Sequence, residues 1–253
     1  MTAIVAIAGN TVRQVVRQRL FYNVVLFGVG LVLFSMVVGS LTFGYSQRVV
    51  RSIGLSGVVL ALDLMAVLAG VTLVHQEIER KTLFVVLTRP VDRWQYVFGR
   101  FLGLLLALVT SWVGLVAVFL LTLLGARGTP TGADLAALAA GVPEAAVLAG
   151  VGLVISTFST PTVGTGMALG LWVVASTTDD LLRLTKDDVL LRPIAHVIYY
   201  LLPCLDHFDF RELAVYQLPV VPGELLWAYG YGSMYVVVLV ALGGMILSRR
   251  EMV

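Results

Sequence analysis

Residues Leu20–Gln47 read LFYNVVLFGVGLVLFSMVVGSLTFGYSQ, a run without one charged side chain. A helix rises about 1.5 Å per residue and needs about 20 apolar residues to cross a hydrocarbon layer about 30 Å thick. The run is long enough for one crossing. Lipid offers no partner to a bare backbone amide, so a segment that crosses is expected to be helical throughout. Further along, Ser52–Gln76 carries a single charge, Asp63, and Phe101–Ala126 carries none. Leu135–Thr178 is 44 residues with Glu144 as its only charge, and as one helix it would reach about 66 Å. Two crossings are therefore expected, divided at STFSTPT, Ser156–Thr162, where Pro161 and its hydroxyl-bearing neighbours interrupt the apolar run. Leu225–Ser248 supplies the last.

These segments predict an all-α membrane protein, one domain over 1–253, with six transmembrane helices at about 20–43, 53–75, 101–126, 135–156, 162–178 and 226–248. Composition agrees: of 253 residues, 59% are hydrophobic and 13% charged, where a soluble domain carries roughly a quarter charged residues. The lipid bilayer is thus the expected surroundings. The net charge of +2 is spread over several loops, which argues against nucleic acid as a partner. Cys204 is the single cysteine, so no intrachain disulfide can form.

Orientation follows from Lys and Arg, which remain preferentially on the cytoplasmic side of short flanks. Arg13, Arg17 and Arg19 precede the first span, and Arg80, Lys81, Arg89, Arg93 and Arg100 lie between the second and third. Arg249 and Arg250 follow the last. Both termini are expected inside, in the cell's inner (cytoplasmic) membrane. Residues 2–19 place Val5, Ala8, Val12, Val15 and Val16 at helical spacing, with Asn10, Arg13, Gln14, Arg17 and Gln18 opposite. Two readings stand: an amphipathic helix on the inner membrane face, or a polar lead-in to the first span.

The inner loop, 76–100, is the most informative polar stretch. His75–Gly103 reads HQEIERKTLFVVLTRPVDRWQYVFGRFLG. Proline disfavours helix at the residue before it and suits the first turn of a new one, so a short helix is expected from Pro90, Val91 or Asp92, with Arg93, Trp94 and Tyr96 on its surface. Arginine and aromatic side chains are enriched where proteins bind one another. Read from the residues alone, the stretch suits a docking helix and a solvated, positively charged loop equally.

Residues 179–225, expected outside, are too polar to cross and too apolar for a free linker. Ile194–Leu202 has about half the length of a crossing and reads as an interfacial or re-entrant helix. Trp227, Tyr229, Tyr231 and Tyr235 then crowd the outer end of the last span, where amphipathic rings favour the headgroup zone.

The loop resembles the cytoplasmic coupling loop of ABC type-2 permeases, the membrane-spanning subunits of ATP-binding-cassette transporters. The matching residues are Glu77, Glu79, Thr82, Leu83–Leu87, Arg89-Pro90-Val91, Arg93 and Gly99-Arg100. An amphipathic lead-in ending in RQRLFY, six spans, and YLLPCLDHF before the last span agree in order. The branch it resembles includes permeases of nitrous-oxide-reductase maturation and of bacterial gliding machinery. Lys81 stands where many members carry glycine.

The resemblance implies a docking helix at Pro90–Tyr96, including Asp92, Trp94 and Tyr96. Glu77 and Glu79 would be its hinge, and Arg93 a contact to a cytoplasmic ATPase subunit. It further implies an elbow helix at 2–19 and a dimer with a second permease copy or a homologue. ATP and magnesium would be bound by the partner, with no cofactor in this chain. The chain has no GxxxxGK[ST]: Lys81 follows Arg80 and Lys186 follows Thr185, so it is not expected to hydrolyse ATP itself. The implied function is export of a substrate across the cytoplasmic membrane. The alternative is a non-transport subunit that passes ATPase-driven motion to an extracytoplasmic partner.

Two carboxylates fall deep in expected spans. Ionised, each costs at least about 3 kcal/mol on insertion scales, so Asp63 is a candidate for a pathway lining or, equally, for a hydrogen bond to a neighbouring helix, whereas Glu144, following Pro143, is read as such a structural bond ahead of a pathway lining. Cys204, Asp206, His207 and Asp209 cluster in CLDHFD. One Cys and one His without a second spaced pair is a weak metal signature, and a capping turn after Pro203 is expected there instead, with no metal. Gly166 and Gly170 have the spacing that lets helices approach closely.

Overall fold

The computed structural model describes residues 2–42, 45–79, 93–178, 181–182, 199 and 202–249. Among them are eight α-helices: α1 (Thr2–Val16), α2 (Arg19–Leu41), α3 (Ser46–Glu79), α4 (Arg93–Gly125), α5 (Gly132–Ser156), α6 (Pro161–Ala175), α7 (Arg211–Tyr216) and α8 (Pro222–Arg249). A short 3-10 turn, Leu205–Phe208, precedes α7.

Helices α3 and α5 form the centre. In each, 72% of the most apolar stretch is buried inside the protein, against 22% for α2, 33% for α4 and 22% for α8, so the last three carry the outward apolar faces. Small residues bring the central pair together. A Cβ on Gly70 would stand 2.8 Å from the carbonyl oxygen of Ala149, and one on Gly152 would stand 3.0 Å from the backbone nitrogen of Val71. Either substitution would force the two backbones apart.

Pro143 sits inside α5. Proline has no N–H and cannot bond the carbonyl one turn earlier, here that of Ala139. That carbonyl is taken instead by the Tyr229 hydroxyl of α8, at 2.8 Å, and the preceding carbonyl, Leu138, accepts the Trp112 indole N–H of α4 at 2.8 Å. Neighbouring helices thus satisfy the backbone that the proline disturbs. Tyr229 therefore answers to α5, and Tyr231 and Tyr235 pack against the core cluster. Of the expected belt, Trp227 is the most exposed ring.

Among the described residues, five helices are long and apolar enough to cross a membrane: α2, α3, α4, α5 and α8. The expected span 162–178 is represented by α6, whose 15 residues rise about 22 Å, less than a hydrocarbon core. Pro161 opens it. Hydroxyls just beyond its end bond back to its last carbonyls alongside the backbone: Ser176 donates to Trp172, and Thr178 to Val174 and Ala175. The loop expected over 76–100 is partly helical, since α3 continues to Glu79 and α4 begins at Arg93.

Helix α1 packs along the start of α4. A Cβ on Gly103 would meet Cβ of Thr11 at 2.5 Å and the Ala8 carbonyl at 2.6 Å. Arg100, buried between them, donates to Gln14 at 2.7 Å, to Thr11 at 3.2 Å and to the Tyr96 hydroxyl at 3.2 Å. Ala8, Thr11 and Val15 are the buried face of α1, while Val5, expected on the same face, is exposed.

Candidate functional site

At the middle of α3 and α5 lies a cavity of about 580 Å³. Ser52, Ser56 and Asp63 of α3 line it, as do Glu144 of α5, Trp172 of α6 and Ser176 just beyond, and Asp206, Asp209 and Arg211 from the segment before α8. The two deep carboxylates expected from the sequence are thus brought together. Asp63 is 2% exposed. Trp172 lines the cavity beside it, and Oδ1 of Asp63 has no partner. Glu144 follows Pro143 directly and is buried as well.

The third wall is a segment that reaches inward. Phe208 lies against Gly232 and Pro143, so that a Cβ on Gly232 would stand 3.0 Å from Pro143 and 3.3 Å from the Phe208 ring. The Cys204 N–H donates to the Tyr231 hydroxyl at 3.0 Å, and His207 stacks on the same ring at 5.2 Å between centroids. CLDHFD is therefore held at the level of Pro143 by the buried side chains of Cys204, Leu205, Phe208 and Phe210.

Within it, Arg211 donates to Asp209 from Nε at 2.8 Å, from Nη2 at 2.7 Å and from its backbone N–H at 3.0 Å. Burial pushes the Asp209 carboxyl up, but the hydrogen bonds and charge of Arg211 outweigh this and leave it below its ordinary range. The bonds to Asp209 hold Arg211 above its own. Among the described residues, no three His, Cys, Asp or Glu side chains are arranged to hold a metal ion.

Above the cavity, at the end where α3 and α5 begin, Arg51 fixes three chain segments. It donates from Nε to Asp134 at 3.0 Å and from Nη2 to the Thr129 carbonyl at 2.8 Å. With its amide oxygen facing Arg51, Gln217 accepts from Nη1 at 2.7 Å and from Nη2 at 3.1 Å. Asp134 also completes a capping box with Thr131 at the start of α5. The sequence contains the Thr131-x-x-Asp134 signal, yet nothing in it joins Arg51 to Asp134.

The expected docking residues are distributed differently. Glu77 and Glu79 fall in the last turns of α3, while Thr82, Arg89, Pro90, Val91 and Asp92 lie outside the described residues. Arg93 opens α4, so Trp94 and Tyr96 belong to that long helix. Trp94 is 47% exposed and its ring covers Gly244 of α8, where a Cβ would stand 2.6 Å away. Tyr96, expected on the surface, is 6% exposed, because its hydroxyl is turned inward to Arg100.

Residues 5–185 match the model of a family described as ABC-2 family transporter protein. The chain belongs to this family. As an ABC-2 transporter protein it is a multi-pass membrane protein, the permease subunit of an ABC transporter and not its ATPase, and it works with an ATPase subunit. The match to the ABC-2 family takes in Asp63, Glu144 and Trp172, and stops before Asp206, Asp209 and Arg211. No curated protein matches the chain.

Proposed function

We propose that this ABC-2 permease exports a substrate across the cytoplasmic membrane, with the cavity at Asp63 and Glu144 as a station on the route. The observation that carries this reading is the cavity itself. A buried carboxylate oxygen without a partner, inside helices that cross lipid, is costly to maintain and marks a working site. Its volume falls in the range of about 300–1,000 Å³ usual for sites that take small molecules.

In this reading the N- and C-terminal ends of the bundle face the cytoplasm and the Arg51 end faces out, as the Lys and Arg distribution favours. Helix α6 with the residues after it completes a sixth crossing, and α1 is the elbow. The ATPase subunit docks on the segment Pro90–Tyr96, and a second permease copy or a homologue completes the membrane unit. The branch named from the coupling-loop residues belongs to the same proposal.

The test is reconstitution with the candidate ATPase in liposomes. Substrate-stimulated hydrolysis that falls in Asp63→Asn supports export. A cysteine at Gln95 that forms no crosslink to the ATPase argues against the docking site. A second reading, transmission of motion to an extracytoplasmic partner, is favoured by the exposed Tyr216, Leu218, Val221 and Trp227 at the same end. Hydrolysis that responds to such a protein and to no small molecule would select it.

A further inference from the structure

Among its described lining residues the cavity carries more negative than positive side chains. Asp63, Glu144, Asp206 and Asp209 line it, and Arg211 is the one cation among its described lining residues. Arg211 gives Nε, Nη2 and its backbone N–H to Asp209, so those donors are engaged there, and Asp63 and Glu144 feel Arg211 as a nearby charge. Oδ1 of Asp63 is left buried without a donor. Removing a carboxylate from water without a partner costs several kcal/mol, and a ligand that supplies both a charge and an N–H recovers it.

The rest of the wall is mixed: Leu31, Ile53, Leu60 and Trp172 form an apolar side, and Ser52, Ser56 and Ser176 add hydroxyls. Among the described residues, no three His, Cys, Asp or Glu side chains are arranged for a bare metal ion. We infer that the cavity binds an organic ammonium ion, a protonated amine on an apolar body. Its N–H donates to Oδ1 of Asp63, and Glu144 shares the charge. The hydrocarbon lies against Leu60 and the indole of Trp172, whose face also attracts a cation. This rests on the reading of the cavity as part of the export route, and names the class of substrate.

The test uses the purified full chain in nanodiscs and three probes of one skeleton: pyrenylmethylammonium, pyrenemethanol and pyrenecarboxylate. Binding is read as tryptophan-sensitised pyrene emission. The ammonium is expected to bind saturably, at least tenfold more tightly than the alcohol, with the carboxylate weakest. Asp63→Asn, close to isosteric, should lose at least tenfold for the ammonium alone, and Glu144→Gln severalfold.

Ser176→Trp, which fills the cavity and leaves its charges, should abolish the saturable signal. Alcohol and ammonium binding alike, full affinity in a monodisperse Asp63→Asn, or unchanged binding in Ser176→Trp would each overturn the proposal. Displacement of the ammonium probe by phosphatidylethanolamine and not by phosphatidylglycerol assigns the amine to a lipid headgroup. Displacement by neither assigns it to a free amphiphile. No ATPase is present in these measurements, so a chain that binds the probe yet fails to couple to any ATPase defeats the export reading and leaves this one standing.

Discussion

Arg51 and Asp134 form an ion pair closed to solvent, with Nε 3.0 Å from Oδ1 and side chains 1% and 0% exposed. The pair joins the first turns of α3 to the capping box of α5 and, through Thr129 and Gln217, to the loop and to the end of α7. Breaking one side of a buried pair leaves an uncompensated charge and typically costs about 3–5 kcal/mol. Asp134→Ala should therefore lower the thermal midpoint of the detergent-purified chain strongly. The double variant Arg51→Met with Asp134→Leu should recover most of the loss, and a double variant as unstable as the single one would contradict the account.

The contact between α1 and α4 depends on the absence of a side chain at Gly103. Gly103→Val places methyl groups where Thr11 and Ala8 already stand, an overpacking of about 1–3 kcal/mol. Cys204 is buried, so a cysteine at Thr11 can be followed on its own. It should react slowly with a maleimide in the parent chain and quickly beside Gly103→Val. Equal rates in the two backgrounds would mean that α1 is not held by this contact.

Tyr229→Phe removes the donor from the Ala139 carbonyl that Pro143 leaves open. The bond lies on the outer surface of the protein, where lipid offers a bare carbonyl no donor, and such a carbonyl costs about 1–3 kcal/mol. Combining Tyr229→Phe with Pro143→Ala, which restores the missing N–H, should make the hydroxyl nearly dispensable. The measurement is the difference in thermal midpoint caused by Tyr229→Phe in each background, and the same difference in both would refute the link.

The bonds between Asp209 and Arg211 give a pH dependence of known sign. The folded carboxyl lies below its ordinary value, so the unfolded chain binds the proton more readily. The stabilisation is present in full above about pH 4, the ordinary aspartate value, and declines as pH falls from there through the lowered native value. Asp209→Asn should remove that acid-side component and leave the trend between about pH 5 and 8 as it was. A stability difference between the two proteins that grows toward pH 8 would have the wrong sign.

Much of the helix layout was legible because charges are so costly in lipid that their positions bracket the long apolar runs. The interruption near Pro161 was legible for the same reason that proline opens helices. What could not be read is that α6 would end at Ala175, since the uncharged run continues past it to Thr178. Asp63 and Glu144 were visible singly. Their meeting with Arg211 joins three distant parts of the chain, and no spacing encodes that. Tyr96 and Arg100 look like surface residues in a polar loop, and only the Gly99 and Gly103 spacing marks their face as one that another helix covers.

Helix α4 runs 33 residues without a break, about 50 Å of continuous backbone. Its base overlaps the segment proposed to receive the ATPase and is clamped to α1. Just past its other end, the Arg127 carbonyl accepts from Gln47 at 3.1 Å, and the Thr129 carbonyl is held by Arg51. Such an element behaves as a lever. A tilt of about 5° at the base would sweep the opposite tip through about 4 Å, enough to pull on the roof of the cavity without any change in the helix itself.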